Sequence, residues 1–415
     1  MRSTVKRQRR RAQAVMSVLG SLLVIGGAIA PAASADTMRD RQWYLDRMQS
    51  EEMWEVSTGK GITVAVLDSG VLSTAPELTG KVLAGKNFVE PQKDARADPS
   101  GHGTAMAMLI AGNGVNNQGI KGLSPDANIL PLTVLGSTQE SGTNSAKALI
   151  EALRYAADSD ARIINMSLGL EGFRLKAGEQ DQIQQAVDYA VHRGKLLLAS
   201  TGNNGDTGND VSYPSASLGV AGIGAVDKSS SVAKFSVFGP QVALAAPGDD
   251  IPSRCIDGKS GYCRSWGTSQ ATAIASASAA LIWAMHPTWT GNQVLRVLMN
   301  TAGKPTEGAV PSRYIGYGTV RPRMAVLGNP GDPGPADVNP LVATRSPNSP
   351  SPSSSASSGS GPSKPPTQQA SPGTTAKAGD GKGISAIVWI AVGVGAVVVI
   401  GAVLLLRRRS AGLGR

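Results

Sequence analysis

The sequence predicts a three-layer α/β head, with a central and mainly parallel sheet between helices, followed by a single C-terminal transmembrane helix. Three observations carry this expectation. Six short apolar runs end in Gly, Asp or Pro, as buried parallel strands do. Longer helical segments lie between several of them, and strand–helix alternation builds parallel sheets. Near the end of the chain, 23 consecutive residues carry no charge, enough for a helix to cross a hydrocarbon core of about 30 Å.

The composition suits a packed core, with 41% of 415 residues hydrophobic and 17% charged. Aromatic residues make up only 4%, while glycine occurs 50 times, so an aliphatic core with many tight turns is expected. The candidate strands are 61–70, 127–136, 161–169, 195–203, 218–227 and 241–248. The segments 145–159 and 179–194 read as helices. In the second, Ile183, Ala186, Val187 and Ala190 share one face. Sheets of this kind bind ligands outside the carboxyl ends of their strands.

The net charge of +10 resides at the two ends. Residues 1–35 hold six cations and no acid, residues 384–415 hold four and no acid, and the remainder is neutral. Such a distribution serves membrane topology and gives no support for a nucleic-acid surface. Residues 1–35 read as a secretory signal peptide: a basic stretch to Arg11, an apolar run from Val15 to Ala30, and an A-x-A-like site before Asp36. Residues 384–406 are the expected membrane helix. Arg407, Arg408 and Arg409 follow and mark 407–415 as a cytoplasmic tail. No LPxTG-like motif precedes the span, so a tether is expected rather than a cell-wall sorting signal. Residues 329–383 are rich in Pro, Ser, Gly and Thr and read as a flexible linker. As a coil it spans about 40 Å, and fully extended about 170 Å. The head is therefore assigned to 36–328, including a short N-terminal extension, and is expected outside the plasma membrane.

Three element ends carry groups suited to peptide hydrolysis. Asp68 ends the first candidate strand, His102 opens a candidate helix within Gly101-His102-Gly103-Thr104, and Ser269 opens another after Gly267-Thr268. A serine hydroxyl needs a base to take its proton, and the base needs a group to orient it. Ser269, His102 and Asp68 supply these three parts. Their order along the chain, Asp then His then Ser, is one of the three known orders of such triads. Attack creates an oxyanion that requires donors aimed at it. The Asn203 amide, in a loop after a candidate strand, and the Ser269 backbone N–H at a helix start are the candidates.

The segments VAVLDSGV, GHGTAMAMLIAG, INMSLG, LLLASTGNNG and GTSQATA together resemble the subtilase superfamily over about residues 60–300. More closely the chain resembles the mycosins, subtilases of actinobacterial type VII secretion systems. Those combine a signal peptide, a subtilase head, a Pro-rich linker and one membrane helix. QWYLDRMQSEEMWEVSTGKG at 42–61 is also mycosin-like, and no large pro-domain separates it from the signal peptide. The resemblance implies a subtilisin-like fold and a membrane-anchored serine endopeptidase working through an acyl-enzyme, with type VII membrane components as partners. It implies that Ser167, Leu168, Gly169 and Gly202 line the specificity pocket. It further implies that the stretch from Leu135 and Gly136 through Ser141-Gly142 offers an edge to a peptide strand. A role mainly as a stabiliser of the secretion complex, and a broad scavenging protease, are the alternatives. One departure is Ala273, where subtilisins usually have Pro after the nucleophile.

Cys255 and Cys263 are the two cysteines, and outside the cell a disulfide is expected. Closing so small a loop stabilises by about 2.5 kcal/mol in the chain-entropy account. No cofactor is expected. The loop Asn113–Gly119 resembles one that binds calcium in some subtilisins, but it has no carboxylate and reads better as a turn. His192 and His286 read as structural.

Overall fold

The computed structural model of the protein describes residues 37–136, 145–256 and 261–345. The expected signal peptide, membrane helix and cytoplasmic tail lie outside the described residues, as do Ser141-Gly142 and residues 346–383 of the linker. Among the described residues, no helix is long and apolar enough to cross a membrane.

The strands are β1 (Thr63–Asp68), β2 (Lys86–Asn87), β3 (Asn128–Thr133), β4 (Ile163–Met166), β5 (Leu170–Glu171), β6 (Leu196–Ser200), β7 (Ser212–Tyr213), β8 (Ala221–Val226), β9 (Val242–Pro247), β10 (Ile251–Arg254) and β11 (Tyr262–Ser265). Seven of them form the central sheet in the order β2-β3-β1-β4-β6-β8-β9, and every neighbouring pair is parallel. The chain moves from β1 to β3 on one side and then crosses to β4 on the other. The winding therefore reverses at β1, which opens a crevice at its carboxyl end.

Both faces of the sheet are covered. Val64, Val66 and Ile163 pack with the His102 helix (His102–Ala111), the Ser269 helix (Thr268–Met285) and the helix Gly291–Thr301. Ala65, Leu67, Ile164 and Met166 pack with the helices Ser145–Asp158 and Glu179–His192. Successive strand side chains point to opposite faces. Asp68 is thus in phase with Val64 and Val66, on the face of the His102 and Ser269 helices. Asn165 and Ser167 are in phase with Ile163 and point the same way.

The Ser269 helix is buried from Thr268 to Trp283. Its run of Ala and Ser lets neighbouring backbones approach closely, and its hydroxyls stay satisfied inside the core. Thr272 and Ser278 donate to carbonyls one turn back, Thr268 and Ile274.

The N-terminal extension belongs to this core. Tyr44, Leu45 and Met53 are fully buried. The buried Gln42 side chain mimics a strand, accepting from Lys121 N at 2.9 Å and donating to Lys121 O at 2.8 Å. Ser57 Oγ donates to Leu281 O of the Ser269 helix.

At the other end the head reaches beyond residue 328, where the sequence places the start of the linker. Arg296 donates to Pro333 O and Val338 O, and Gln293 donates to Gly334 O. Leu341 is fully buried, and Asn339 Oδ1 accepts from its backbone N–H. Composition marks this stretch as unable to build a core of its own. It is held because side chains of the helix Gly291–Thr301 satisfy its carbonyls.

Replacing Leu45 with Ala is expected to lower stability by about 2–5 kcal/mol, the usual cost of emptying a buried leucine site. Urea unfolding of the variant measures this. A loss below 1 kcal/mol would show that the extension is only laid on the surface.

Candidate active site

β1 delivers Asp68 to the crevice with its carboxylate fully buried. Oδ1 accepts from Ser69 N at 2.8 Å, from Ser69 Oγ at 3.2 Å and from His102 Nδ1 at 2.8 Å. Oδ2 has no hydrogen-bond partner among the described residues, so the carboxylate charge is only partly compensated by dipoles. The first turn of the His102 helix can approach β1 this closely because residue 103 is glycine. A Cβ there would lie 2.1 Å from Gly70 O and 3.0 Å from Asp68 Cβ.

Asp98 is a residue that sequence reasoning missed. Its Oδ1 accepts from Ser69 Oγ and Gly101 N, both at 2.8 Å. Its Oδ2 accepts from Thr104 N at 2.8 Å and Thr104 Oγ1 at 2.6 Å. It therefore ties the end of β1 to the free N–H groups at the start of the His102 helix, where an anion also complements the helix dipole. Its place four residues before His102, in Asp98-Pro-Ser-Gly-His102, was the available signal. Burial disfavours the charged form of His102, but the charge of Asp68, its hydrogen bond and the charge of Asp98 outweigh that. The ring pKa stands above its ordinary value.

Ser269 enters through Gly267, whose φ of +152° suits glycine. A Cβ at Gly267 would lie 2.7 Å from Gln270 Oε1 and 3.2 Å from Asn203 Nδ2. The Ser269 hydroxyl donates to Ser167 O at 3.1 Å. No hydrogen bond between Ser269 and His102 is present among the described residues. The Ser269 carbonyl accepts from Ser167 Oγ at 3.0 Å. Behind it runs a buried chain: Ser276 Oγ donates to Asn165 Oδ1, and Asn165 Nδ2 donates to Ser167 Oγ. Asn165 and Ser276 were also missed. Their signal was a polar residue inside an otherwise apolar strand and another inside an apolar helix.

Asn203 lies in the loop after β6. Thr268 N and Thr268 Oγ1 both donate to its Oδ1, at 2.8 and 2.9 Å. This fixes the amide orientation, because an N–H donor must face the oxygen. Nδ2 is thereby turned away from Thr268, on an exposed residue, and makes no hydrogen bond to protein among the described residues. Gly202 N donates to Thr268 Oγ1 at 3.2 Å, so the same loop is pinned twice to the start of the Ser269 helix.

The other sequence-derived positions follow the same rim. Val134 N and Leu135 N both donate to Asp68 O, and Gly136 follows them past the end of β3. Ser167, Leu168 and Gly169 follow β4, with Leu168 O accepting from Ser200 Oγ. Gly202 follows β6. Cys255 and Cys263 form a disulfide that closes the β10–β11 hairpin leading to Ser269. The hairpin also touches the histidine side: a Cβ on Gly101 would lie 3.4 Å from Cys255 O. In the loop Asn113–Gly119, Asn113 Oδ1 accepts from Val115 N and Asn117 O accepts from Met38 N. Away from the site, His286 stacks on Trp289 at 3.8 Å and His192 is exposed.

The Subtilase family profile matches residues 59–318. The chain belongs to the subtilase family. It is accordingly a serine endopeptidase, a hydrolase. Thermitase of Thermoactinomyces vulgaris is 33% identical over 264 residues, covering 64% of this chain and 89% of the relative. Subtilisin Savinase of Lederbergia lenta is 34% identical over 262 residues, covering 63% and 90%. Among solved structures, this subtilase is similar to MycP1 from Mycobacterium smegmatis, with TM-score 0.63 and 26% identity over 74% of this chain and 89% of that one. It is also similar to the MycP3 protease from the type VII (ESX-3) secretion system, with TM-score 0.59 and 29% identity over 68% and 87%.

The charges around the imidazole make a direct prediction. NMR titration of His102 should place its pKa above 6.5, the ordinary value. Asp98→Asn should lower it by removing one of the charges that favour the imidazolium. The raised pKa stabilises the fold below the unfolded-state value, and this contribution fades as pH rises through the folded pKa. A ring titrating below 6.5, or unmoved by Asp98→Asn, would contradict the arrangement.

Proposed function

We propose that this subtilase is an exported, membrane-tethered endopeptidase that cleaves exported proteins in the service of a type VII secretion system, using Asp68, His102 and Ser269 as its triad. The observation that carries the chemistry is the 2.8 Å bond between His102 Nδ1 and the buried Asp68 carboxylate. That bond fixes the tautomer that leaves Nε2 free to accept a proton, and it favours the imidazolium that follows.

The reaction begins with rotation of the Ser269 side chain, exchanging the Ser167 carbonyl for His102 Nε2 as its acceptor. Ser269 Oγ then attacks the scissile carbonyl carbon while its proton passes to His102. Asn203 Nδ2 and the Ser269 backbone N–H donate to the oxyanion. Collapse of the tetrahedral adduct expels the amine, which takes the proton from His102 and leaves an acyl-enzyme. Water repeats the sequence and frees Ser269. The substrate lies as an added strand along Leu135-Gly136, with its side chain before the scissile bond between Ser167-Leu168-Gly169 and Gly202.

The secretion role is supported by similarity to MycP1 and MycP3 and by the mycosin-like 42–61 segment. The tether is supported by the uncharged run 384–406 and the three arginines after it. The head is assigned to the outside of the membrane and the last residues to the cytoplasm.

A fluorophosphonate probe should label the purified full-length protein and fail to label Ser269→Ala. Absence of labelling in the wild-type protein would count against the triad. After alkaline carbonate extraction of membranes, the full chain should remain in the pellet, whereas a chain ending at residue 383 should be released. Release of both would remove the tether from the proposal.

A further inference from the structure

A cavity of about 720 Å³ lies where the N-terminal extension, the carboxyl ends of β8 and β9 and the segment 303–323 meet. It is lined by four cations, Arg47, Lys304, Arg321 and Arg323. Each is held by a neutral acceptor. Arg47 donates to Ser230 Oγ at 2.7 Å, and Lys304 donates to Met299 O at 2.6 Å. Arg321 donates to Thr301 O and Ala302 O, and Arg323 donates to Gln49 Oε1. Among the described residues none of the four forms an ion pair with a carboxylate.

Two carboxylates also line the cavity, so four cations face two anions, and neither carboxylate is ion-paired with a cation among the described residues. Asp227 is committed to its own turn, where it accepts from Ser229 N, Ser229 Oγ and Ser231 N. Glu307 is exposed to solvent. Burial, and after it the neighbouring Arg321, push the Lys304 pKa down. Lys304 and Arg321 are therefore neighbouring like charges, and cations are in excess in this lining.

We propose that this cavity binds an acidic peptide segment of a partner or substrate protein, away from the site of cleavage. The volume lies in the range of ligand pockets and far exceeds what one small anion fills. The cations come from separate parts of the chain, at 47, 304, 321 and 323, so more than one carboxylate can be paired there. Arginine forks pair with planar carboxylates through two bonds. Trp43 and Tyr314 also line the cavity and give it an apolar part. The inference does not depend on the triad.

Isothermal titration of the full-length Ser269→Ala protein in detergent with hexaglutamate tests this, since turnover is then removed. Hexaglutamate should bind, and raising salt should weaken it. Arg47→Glu and Lys304→Glu, both at exposed positions, should each weaken binding about tenfold while the melting temperature is retained. Glu307→Lys should tighten it. Undetectable binding of hexaglutamate, or equal affinity in all variants, would overturn the proposal. Inorganic phosphate binding as tightly as hexaglutamate would assign the cavity to a small anion instead, and a hexathymidylate that bound more tightly would assign it to nucleic acid.

Discussion

The hydrogen bond from His102 Nδ1 to Asp68 Oδ1 is the contact to which the geometry of the site is keyed. It joins the last residue of the strand at the switch point to the first residue of a helix on one face of the sheet. For the two to meet, the strand must present Asp68 to that face, and the helix must begin within one side-chain length of it. Strand parity meets the first requirement, because Asp68 falls in phase with Val64 and Val66. The missing Cβ of Gly103 meets the second. Asp98 then holds both partners from behind, through Ser69 on one side and Gly101 and Thr104 on the other. A buried carboxylate with one unpartnered oxygen is costly in isolation. The adjoining imidazole is the group that can carry compensating charge when a proton arrives.

The Ser269 side obeys a different logic. Its helix is buried almost throughout, so the orientation of its first turn is set by the core rather than by solvent-facing caps. Small side chains admit it to the centre of the layer, and Asn165 anchors it to the sheet through Ser276 and Ser167. The network is satisfied at each named bond, which is the condition under which buried polar groups specify a structure instead of weakening it. It also compensates for Ala273. Proline would stiffen the first turn through its ring. Here Thr268 is instead tied to Asn203 and Gly202, and Ser269 O to Ser167. The same Asn203 contact that fixes the turn aims its amide group away from Thr268, so one interaction sets two parts of the candidate site.

Much of this was legible in the sequence, for a physical reason. Apolar runs broken by Gly, Asp or Pro mark strand ends, and in a parallel sheet those ends share one rim. Asp68, Ser167, Gly202 and Leu135 could therefore be placed together without coordinates. The braces were harder to read. Asp98 and Asn165 act through hydrogen bonds to partners 2 to 111 residues away in sequence, and no local period records such a pairing. The rotamer of Ser269 was also beyond reach, because a hydroxyl chooses among acceptors that only packing brings near. The contacts made by residues after 328 were not legible either, because composition measures what a segment can bury by itself. Residues 329–345 succeed by using donors that belong to Gln293 and Arg296.

The basic cavity shows a further consequence of the same topology. A parallel sheet exposes the carboxyl ends of all its strands on one side, yet the triad candidates use only those around β1, β4 and β6. β8 and β9 end at that side too, and there the chain places cations whose acceptors are neutral. Lys304 and Arg321 bond carbonyls at the C-terminal end of the helix Gly291–Thr301, where cations complement the helix dipole, and none of the four is ion-paired with a carboxylate among the described residues. Asp227 is turned into its own loop, and Glu307 toward solvent. An excess of cations over carboxylates in a concave site gives it a positive potential. An arrangement of that kind raises the local concentration of acidic segments. A peptide held there would meet the cleavage rim at raised effective concentration, wherever the intervening chain is long enough to span the two.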